Sequence, residues 1–354
     1  MNEWERTTLS DVVKLRRGHD LPTQSRHPGS VPIVGSFGIT GWHDTAKAKG
    51  PGVTIGRSGA SFGTAVYVAE GYWPLNTCLY VTDFCGNDPK WVYALLHGID
   101  FSGYNSGSAQ PSLNRNFLAA IPVRCPTPDE QRRIAGVLGA LDDLIETSRG
   151  LVTGLENAAR YLAAKATSDV MLSSIAKVAS GRQAKPEGVV EHYSLPAFDN
   201  GAVPEVVDAS TIKSNKLRLD GPTVLISRLN PQWERCWMAY PRSNAMSSTE
   251  FVPLIGEQCA PEEIWALTSG SDFWEQMRAL VTGTTGSHQR VDKDAVLTFT
   301  VPDVRELRSV DRQHIVDFVH GAQECRDEIA ELTRARVELL PLLMSGRVRV
   351  REVA

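Results

Sequence analysis

The sequence predicts a mixed α/β protein built twice over, in which each half is a globular domain followed by a long helix. First, the stretch from Pro128 to about Thr167 contains no internal proline and repeats apolar residues at steps of three and four. Second, the stretch from Asp311 onward repeats this pattern. Third, EQRRI at 130–134 aligns with DRQHI at 311–315, an offset of 181 residues. Such internal repetition predicts two copies of one architecture.

The apolar residues of each long stretch fall on a seven-residue pattern, which is typical of a coiled-coil seam. In the first stretch they are Ile134, Val137, Leu141, Leu144, Leu151 and Leu155. In the second they are Ile315, Phe318, Ile329, Leu332, Leu339 and Leu343. Ser148 interrupts the first series and Arg336 the second. At about 1.5 Å per residue, the first helix would span roughly 55 Å. Each helix could instead pack only on its own domain, but their equivalent positions favour mutual pairing.

These patterns divide the chain into four parts. The first globular domain is expected at 1–127, the first long helix at 128–167, the second globular domain at 168–310, and the second helix with the C-terminal tail at 311–354. Each domain contains a predicted strand–loop–strand segment, at 52–83 and 221–241, and a later polar loop, at 105–122 and 283–302. We expect one amphipathic helix at 88–98 and one at 260–280.

Composition and charge limit the possible functions. The chain has 354 residues, of which 42% are hydrophobic and 22% charged, as in globular proteins. No apolar run approaches the roughly 18–20 residues of a membrane span, so we expect a cytoplasmic protein without a membrane partner. The net charge of −4 lacks the basic excess of a protein that holds nucleic acid alone. If this chain binds DNA, a partner must neutralise phosphates or the fold must cluster the basic residues.

Four segments carry a resemblance to a known family. They are GRSGASFG at 56–63, GSAQPSLN at 107–114, IPVRCPTPDEQRRIAGVLGALDDLI at 121–145, and LLPLLMSGRVRV at 339–350. Together they resemble the specificity subunit of a type I restriction–modification system, and the resemblance covers essentially the whole chain. It implies two target-recognition domains connected by a long antiparallel two-helix coiled coil. In the second half, Asn114 has no clear counterpart, and the Glu130-Gln131 pair is absent.

The resemblance implies recognition of a bipartite double-stranded DNA site. Arginine can pair with guanine edges, and glutamine or asparagine with adenine edges. The candidate DNA-binding residues of the first half are Arg57, Ser58, Ser61, Gln110, Asn114 and Arg115. Those of the second half are Arg228, Asn230, His288, Gln289, Arg290 and Lys293. The sequence places Arg228 opposite Arg57, and Gln289 opposite Gln110. The arginines could instead form surface ion pairs, and the glutamines could satisfy loop backbone groups.

The resemblance also implies partners and the absence of catalysis in this chain. Two methylation subunits would dock on the paired helices and hold S-adenosylmethionine, while restriction subunits would hold ATP and Mg²⁺. We find no catalytic constellation, metal-ligand spacing or cofactor loop in this sequence. Asn230-Pro231-Gln232-Trp233 differs from the amino-methyltransferase signature in having glutamine at its third position. The alternatives are a catalytic DNA methyltransferase or nuclease chain, and a coiled-coil scaffold that binds no DNA.

Overall fold

The computed structural model describes residues 4–105, 112–179, 183–281 and 289–350. The chain forms two compact units. Unit 1 comprises Met1–Leu144 with Thr333–Ala354, and unit 2 comprises Ile145–Leu332. Both long helices therefore contribute one part to each unit.

Unit 1 contains two main sheets and a short strand pair. Its strands are β1 (Glu5–Thr8), β2 (Lys14–Arg17), β3 (Val31–Gly35), β4 (Gly38–His43), β5 (Gly52–Gly56), β6 (Ala65–Val68), β7 (Trp73–Pro74), β8 (Cys78–Asp83) and β9 (Pro122–Cys125). Its helices are α1 (Leu9–Val12), α2 (Pro89–Gly98), α3 (Arg115–Leu118) and the first part of α4 (Pro128–Ala163). The strand orders are β2-β8-β5-β6, β4-β3-β7 and β1-β9.

Unit 2 is larger and carries additional strands. Its strands are β10 (Asp169–Met171), β11 (Ala176–Val178), β12 (Gln183–Ala184), β13 (Val189–Tyr193), β14 (Glu205–Asp208), β15 (Lys216–Leu219), β16 (Thr223–Ser227), β17 (Cys236–Ala239), β18 (Ala245–Ser247), β19 (Phe251–Gly256) and β20 (Thr300–Pro302). Its helices are α5 (Leu195–Asp199), α6 (Pro261–Thr268), α7 (Ser271–Ala279) and most of α8 (Ser309–Met344). The strand orders are β11-β19-β16-β17, β12-β15-β18-β13-β14 and β10-β20.

The two units share one strand plan. The sheet β11-β19-β16-β17 repeats β2-β8-β5-β6, and β10-β20 repeats β1-β9. The three strands β14-β13-β18 repeat β4-β3-β7, including the parallel pairing of the middle strand with the last. The predicted α/β fold of two similar halves is thereby confirmed. The single helix predicted at 260–280 is wrong, because the chain breaks at Ser269-Gly270 into α6 and α7.

In each unit, a domain helix covers the four-stranded sheet. In unit 1, Trp91 and Leu96 of α2 belong to the same buried cluster as Val53 and Ile55 of β5. In unit 2, Ile264 and Trp265 of α6 share a buried cluster with Val224 and Ile226 of β16. Burial of each such apolar side chain stabilises a domain by roughly 1.5–3 kcal/mol.

The long helices pair antiparallel within each unit. In unit 1, Arg336 of α8 forms an ion pair with Asp142 of α4, and further along, Arg349 pairs with Glu130. In unit 2, the Ser148 hydroxyl donates to the Glu328 carboxylate at 3.3 Å. There Arg326 also pairs with Glu156. In both units, the later residues of α4 contact earlier residues of the segment that contains α8, as an antiparallel pairing requires. Arg336 and Ser148, the two interruptions of the apolar pattern, are thus polar contacts between the helices.

The predicted seam is wrong at two positions. Leu144 and Leu151 are 51% and 53% exposed. An α-helix has 3.6 residues per turn, so a strict seven-residue stripe drifts by about 20° per heptad away from the buried face. The buried positions of the two helices are Glu130, Gln131, Ile134, Ala135, Leu138, Ile145, Ser148, Ala159, Ala163, Ile315, Val319, Ala322, Leu340 and Leu343. The remaining predicted positions, Val137, Leu141, Leu155, Phe318, Ile329, Leu332 and Leu339, are half-buried.

One residue in the first turn of each long helix holds the N-terminus of the domain helix. In unit 1, the Gln131 Oε1 atom accepts the backbone N–H of Asp88, the N-cap of α2, at 2.9 Å. In unit 2, the aligned residue is Arg312, which donates to both carboxylate oxygens of Glu263 at 2.5 and 2.8 Å. Glu263 in turn accepts the backbone N–H of Ala260, the N-cap of α6, at 2.7 Å.

Replacing Arg312 with Met should destabilise unit 2 strongly. The Glu263 side chain is only 2% exposed, so loss of Arg312 leaves a buried carboxylate without its counter-charge. Breaking a buried pair in this way costs about 3–5 kcal/mol. The measurement is the free energy of unfolding in urea. The matched control is Arg308→Met, because Arg308 is 79% exposed in its pair with Asp311, where solvent screens the attraction and little stability should be lost. Equal losses in the two variants would contradict this prediction.

Candidate nucleic-acid interface

The Gly/Ser-rich loop of unit 1 joins β5 to β6 and folds back onto the end of β5. The N–H of Gly56 donates to the Thr64 carbonyl at 2.8 Å, and the N–H of Gly63 donates to the Gly56 carbonyl at 2.7 Å. A Cβ atom on Gly56 would lie 2.1 Å from the Ser61 carbonyl oxygen and 2.3 Å from that of Ser36. Glycine is therefore required where the loop, the strand end and the β3–β4 turn come together.

Arg57 connects this loop with the second predicted loop of unit 1. Its backbone N–H donates to the Thr77 carbonyl at 2.9 Å, and its carbonyl accepts the N–H of Leu113 at 2.8 Å. Its side-chain Nε donates to the Asn76 carbonyl at 3.2 Å. Ser58 forms a backbone bridge with Ser112. The structure thus brings Arg57 and Ser58 together with the segment that leads to Asn114 and Arg115, while Gln110 lies outside the described residues.

The other candidates of unit 1 have structural contacts of their own. The Asn114 side chain accepts the backbone N–H of Asn116 at 3.0 Å and caps α3. Arg115 lines a cleft of about 290 Å³ together with Ser10 and Lys14. The backbone carbonyl of Ser61 accepts the N–H of Thr64 at 3.2 Å, which closes the loop turn. Asn114 and Ser61 therefore have structural roles, while Arg57 and Arg115 carry the positive charge.

Unit 2 builds the same arrangement around Arg228. The backbone N–H of Arg228 donates to the Glu250 carbonyl, and its carbonyl accepts the N–H of Val291, both at 3.0 Å. Leu229 forms a backbone bridge with Arg290, as Ser58 does with Ser112. Arg228 therefore occupies the place of Arg57, in agreement with the alignment.

The hydrogen-bond register corrects two other parts of that alignment. Val291 stands in the place of Leu113, an offset of 178 residues, whereas the predicted pairing of Gln110 with Gln289 has an offset of 179. His288, like Gln110, lies outside the described residues. The register also supplies the missing counterpart of Asn114, which is Asp292. The Asp292 carboxylate accepts the backbone N–H of Asp294 at 2.8 Å, the same local bond that Asn114 makes with Asn116. Lys293 then stands in the place of Arg115.

Glu250 distinguishes the charge arrangement of unit 2 from that of unit 1. Its carboxylate accepts two hydrogen bonds from Arg290, at 3.1 and 2.8 Å, and lies 3.6 Å from the Nε of Arg228. The hydrogen bond and the negative charge of Glu250 raise the pKa of Arg290. In unit 1 the residue at this place is Thr77, which brings no charge. Sequence reasoning missed Glu250 because its position beside Arg228 depends on the pairing of β16 with β19.

Asn230 holds the two loops of unit 2 together. Its backbone adopts the left-handed conformation, with φ of 51°, and its N–H donates to the Gln289 carbonyl at 2.8 Å. Its side-chain oxygen accepts the N–H of Gln289 at 3.2 Å. The following residues form a short 3₁₀ turn, Pro231–Trp233. The resemblance of this segment to a methyltransferase signature is therefore explained by a loop-closing role.

Two exposed aromatic residues beside the candidate loops were not predicted. Trp233, in the loop that carries Arg228, is 64% exposed, and the Arg235 guanidinium lies 5.9 Å from its ring centroid. Phe37, 67% exposed, follows Ser36 in the β3–β4 turn that touches the loop of Arg57. The available sequence signal was an aromatic residue among loop formers, as in GSFG at 35–38.

Metal and membrane sites are not evident in the described residues. Over residues 4–105, 112–179, 183–281 and 289–350, no group of three or more His, Cys, Asp or Glu side chains could hold a metal ion. The helices within the same ranges include none that is both long and apolar enough to cross a membrane.

Replacing Gly56 with Ala should destabilise the loop of unit 1. The added methyl group would collide with two backbone carbonyls, which cannot move without distorting β5, and we expect a loss of about 2 kcal/mol. The matched control is Gly136→Ala in α4, where nothing lies within 4 Å, and alanine should stabilise the helix by up to about 1 kcal/mol. Thermal melting of both variants measures the difference. A Gly56→Ala variant as stable as the original chain would refute the close approach.

Comparison with known proteins finds similarity to one family in the first part of the chain. Residues 1–157 match the model of the type I restriction modification DNA specificity domain. The type I restriction enzyme EcoprrI specificity subunit of Escherichia coli is 26% identical over 147 residues, which is 40% of this chain and 37% of that protein. The match thus spans little more than a third of the curated relative.

Solved structures extend the comparison to the whole chain. The S subunit of a type I restriction–modification system from M. genitalium aligns over 99% of this chain and 97% of its own, with 16% identity and a TM-score of 0.65. The HsdS subunit from Thermoanaerobacter tengcongensis aligns over 98% and 97%, with 14% identity and a TM-score of 0.35. The first of these likenesses shows the fold. Over residues 1–157 the chain is similar in sequence to the type I restriction modification DNA specificity domain, and over nearly its whole length it shares the fold of the S subunit from M. genitalium.

Proposed function

We propose that this chain reads a bipartite double-stranded DNA site and directs partner subunits to it. The observation that carries the proposal is the repeated placement of one arginine in each unit. Arg57 and Arg228 lie at the end of equivalent strands and are held by equivalent backbone hydrogen bonds from two loops. Arginine can donate two hydrogen bonds to a guanine edge, which discriminates against another base by about 1–3 kcal/mol. Each unit would read one half-site.

The two long helices would set the spacing between the half-sites. Each of α4 and α8 has 36 residues and is therefore about 54 Å long. Since a rigid pair of helices does not adjust to the sequence beneath it, the half-sites would be separated by a fixed number of unread base pairs. We therefore expect a split motif with one gap length.

Methylation subunits would bind to the paired helices. Several apolar side chains on the helices are exposed in this chain and belong to none of its buried clusters. They are Leu144, Leu151, Tyr161 and Val337. Burial of these residues against methylation subunits would explain their exposure here. The subunits would bring S-adenosylmethionine for adenine methylation, and restriction subunits would bring ATP and Mg²⁺.

Partner subunits would also compensate for the shortage of basic residues in this chain. The chain has a net charge of −4, and in unit 2 Glu250 offsets part of the charge of Arg228 and Arg290. Affinity for DNA depends mainly on phosphate neutralisation. We propose that this chain supplies contacts to base edges, while the methylation subunits supply most of the contacts to phosphates.

Deletion of this chain should abolish a split methylation motif. The experiment maps N6-methyladenine across the host genome with the chain present, deleted, and restored from a plasmid. We expect one bipartite motif with a fixed gap to lose its methylation on deletion and to regain it on restoration. Motifs written by unrelated methyltransferases in the same genome serve as internal controls. Unchanged methylation of every motif after deletion would contradict the proposal.

A further inference from the structure

Unit 2 contains an open cleft of about 760 Å³ beside the loop of Arg228. Its floor is formed by the ends of β11 and β19. Its polar lining residues come from the candidate loops and from two strands that the sequence did not predict. These residues are Gln183, Ser214, Asn215, Arg228, Thr249 and Lys293.

The strands β12 and β15 form a wall of this cleft that is particular to unit 2. Gln183 of β12 pairs with Leu217 of β15, and Leu217 pairs with Ser247 of β18. The wall therefore adds two strands to β14-β13-β18 and completes the five-stranded sheet. In unit 1, the segment before β5 contributes one backbone bridge, between Ala48 and Tyr72. No strand occupies the place of β12 or β15 among the residues that the structure describes in unit 1.

The polar groups of the wall are available to a ligand. Gln183, Ser214 and Asn215 are exposed. Within the part of the chain that the structure describes, the carboxamides of Gln183 and Asn215 form no hydrogen bond with other protein groups. On the other side of the cleft, the Nε of Arg228 is buried and lacks a hydrogen-bond partner, since Glu250 lies 3.6 Å away.

The charge around the cleft is positive. Arg228 and Lys293 line it, and Lys216 lies behind the wall, where its ammonium donates to the Ser214 hydroxyl oxygen at 2.6 Å. Burial lowers the pKa of Lys216, but the Ser214 oxygen remains a partner for its charged form. Glu250 is the acidic residue nearest to Arg228 in the described chain, and it is shared with Arg290. An anionic ligand with exposed hydrogen-bonding edges suits this combination.

We propose that this wall is a second reading element of unit 2, in which Gln183 and Asn215 contact base edges of the half-site beside those reached by Arg228. The proposal rests on the proposed function and specifies part of its DNA contacts. A carboxamide can donate one hydrogen bond to an adenine edge and accept another. The positive charge of the cleft alone cannot distinguish one base from another. Among the described residues of unit 1, no strands form such a wall, so we expect the half-site of unit 2 to include at least one specified base pair that has no counterpart in the other.

The test uses the full chain in complex with its methylation subunits and duplexes that carry the motif found by methylation mapping. Dissociation constants are measured for the motif and for every single base-pair substitution in both half-sites. In the Gln183→Ala/Asn215→Ala variant, the preference at one or two positions of one half-site should fall about ten-fold, the discrimination that one paired base contact supplies. The other half-site should keep its full preference, which also shows that the variant is folded.

The matched control is Asn200→Ala/Ser210→Ala, which removes two exposed polar side chains of unit 2 that do not line the cleft. This control should keep every preference of the original chain. If the Gln183→Ala/Asn215→Ala variant also keeps every preference, or loses affinity equally for all duplexes, the proposal that the wall reads bases is wrong. A wild-type complex that selects no split motif rejects the proposed function itself, so the two failures can be distinguished.

Discussion

In each unit, beside the apolar packing of the long helices against the domain, one side chain of a long helix reaches the N-terminal turn of the domain helix. The backbone N–H groups at a helix start have no backbone partner within the helix, so a buried helix start needs a side-chain acceptor. Gln131 supplies this acceptor to Asp88 directly. In unit 2 the acceptor for Ala260 is Glu263, and Arg312 supplies the counter-charge that allows a carboxylate to be buried there. The backbone N–H of the N-cap residue thus donates to an amide oxygen in unit 1 and to the carboxylate of an ion pair in unit 2.

This contact explains why the two halves look less similar in sequence than in structure. The Glu-Gln pair at 130–131 has no match in the second half, because Asp311-Arg312 stands there. The replacement of Gln131 by Arg312 is accompanied by Glu263 in the domain helix, so the two changes compensate each other. Since the domain helix also covers the four-stranded sheet that ends in Arg57 or Arg228, the position of each reading loop depends on this contact.

Sequence patterns predicted the repeated architecture and the long helices, because apolar periodicity over 36 residues is a strong signal. They failed where structure depends on distant pairing. The burial of Ser148 and the exposure of Leu144 follow from how an α-helix drifts from a seven-residue repeat. The one-residue shift between the halves, which sets Asp292 opposite Asn114, is visible only in the hydrogen bonds that Arg57 and Arg228 make with the later loop.

The candidate site, too, could be predicted from the sequence only in part. Arg57 and Arg228 were predictable, because each follows a β-rich run and begins a loop. Glu250 and the wall around Gln183 were not, since β19 reaches Arg228 through its pairing with β16, and Gln183 of β12, in another sheet, meets Arg228 only across the cleft. Backbone geometry is thus shared between the units, while the charged and polar groups that face outward differ.

The central claim is that the two arginines read separate half-sites of one DNA motif. The most direct measurement is methylation mapping in cells that carry Arg57→Ala or Arg228→Ala in place of the original chain. We predict that each variant relaxes the motif in one half-site only, that the two variants affect different half-sites, and that the gap length stays the same. Relaxation of the same half-site by both variants, or an unchanged motif in both, would contradict the account.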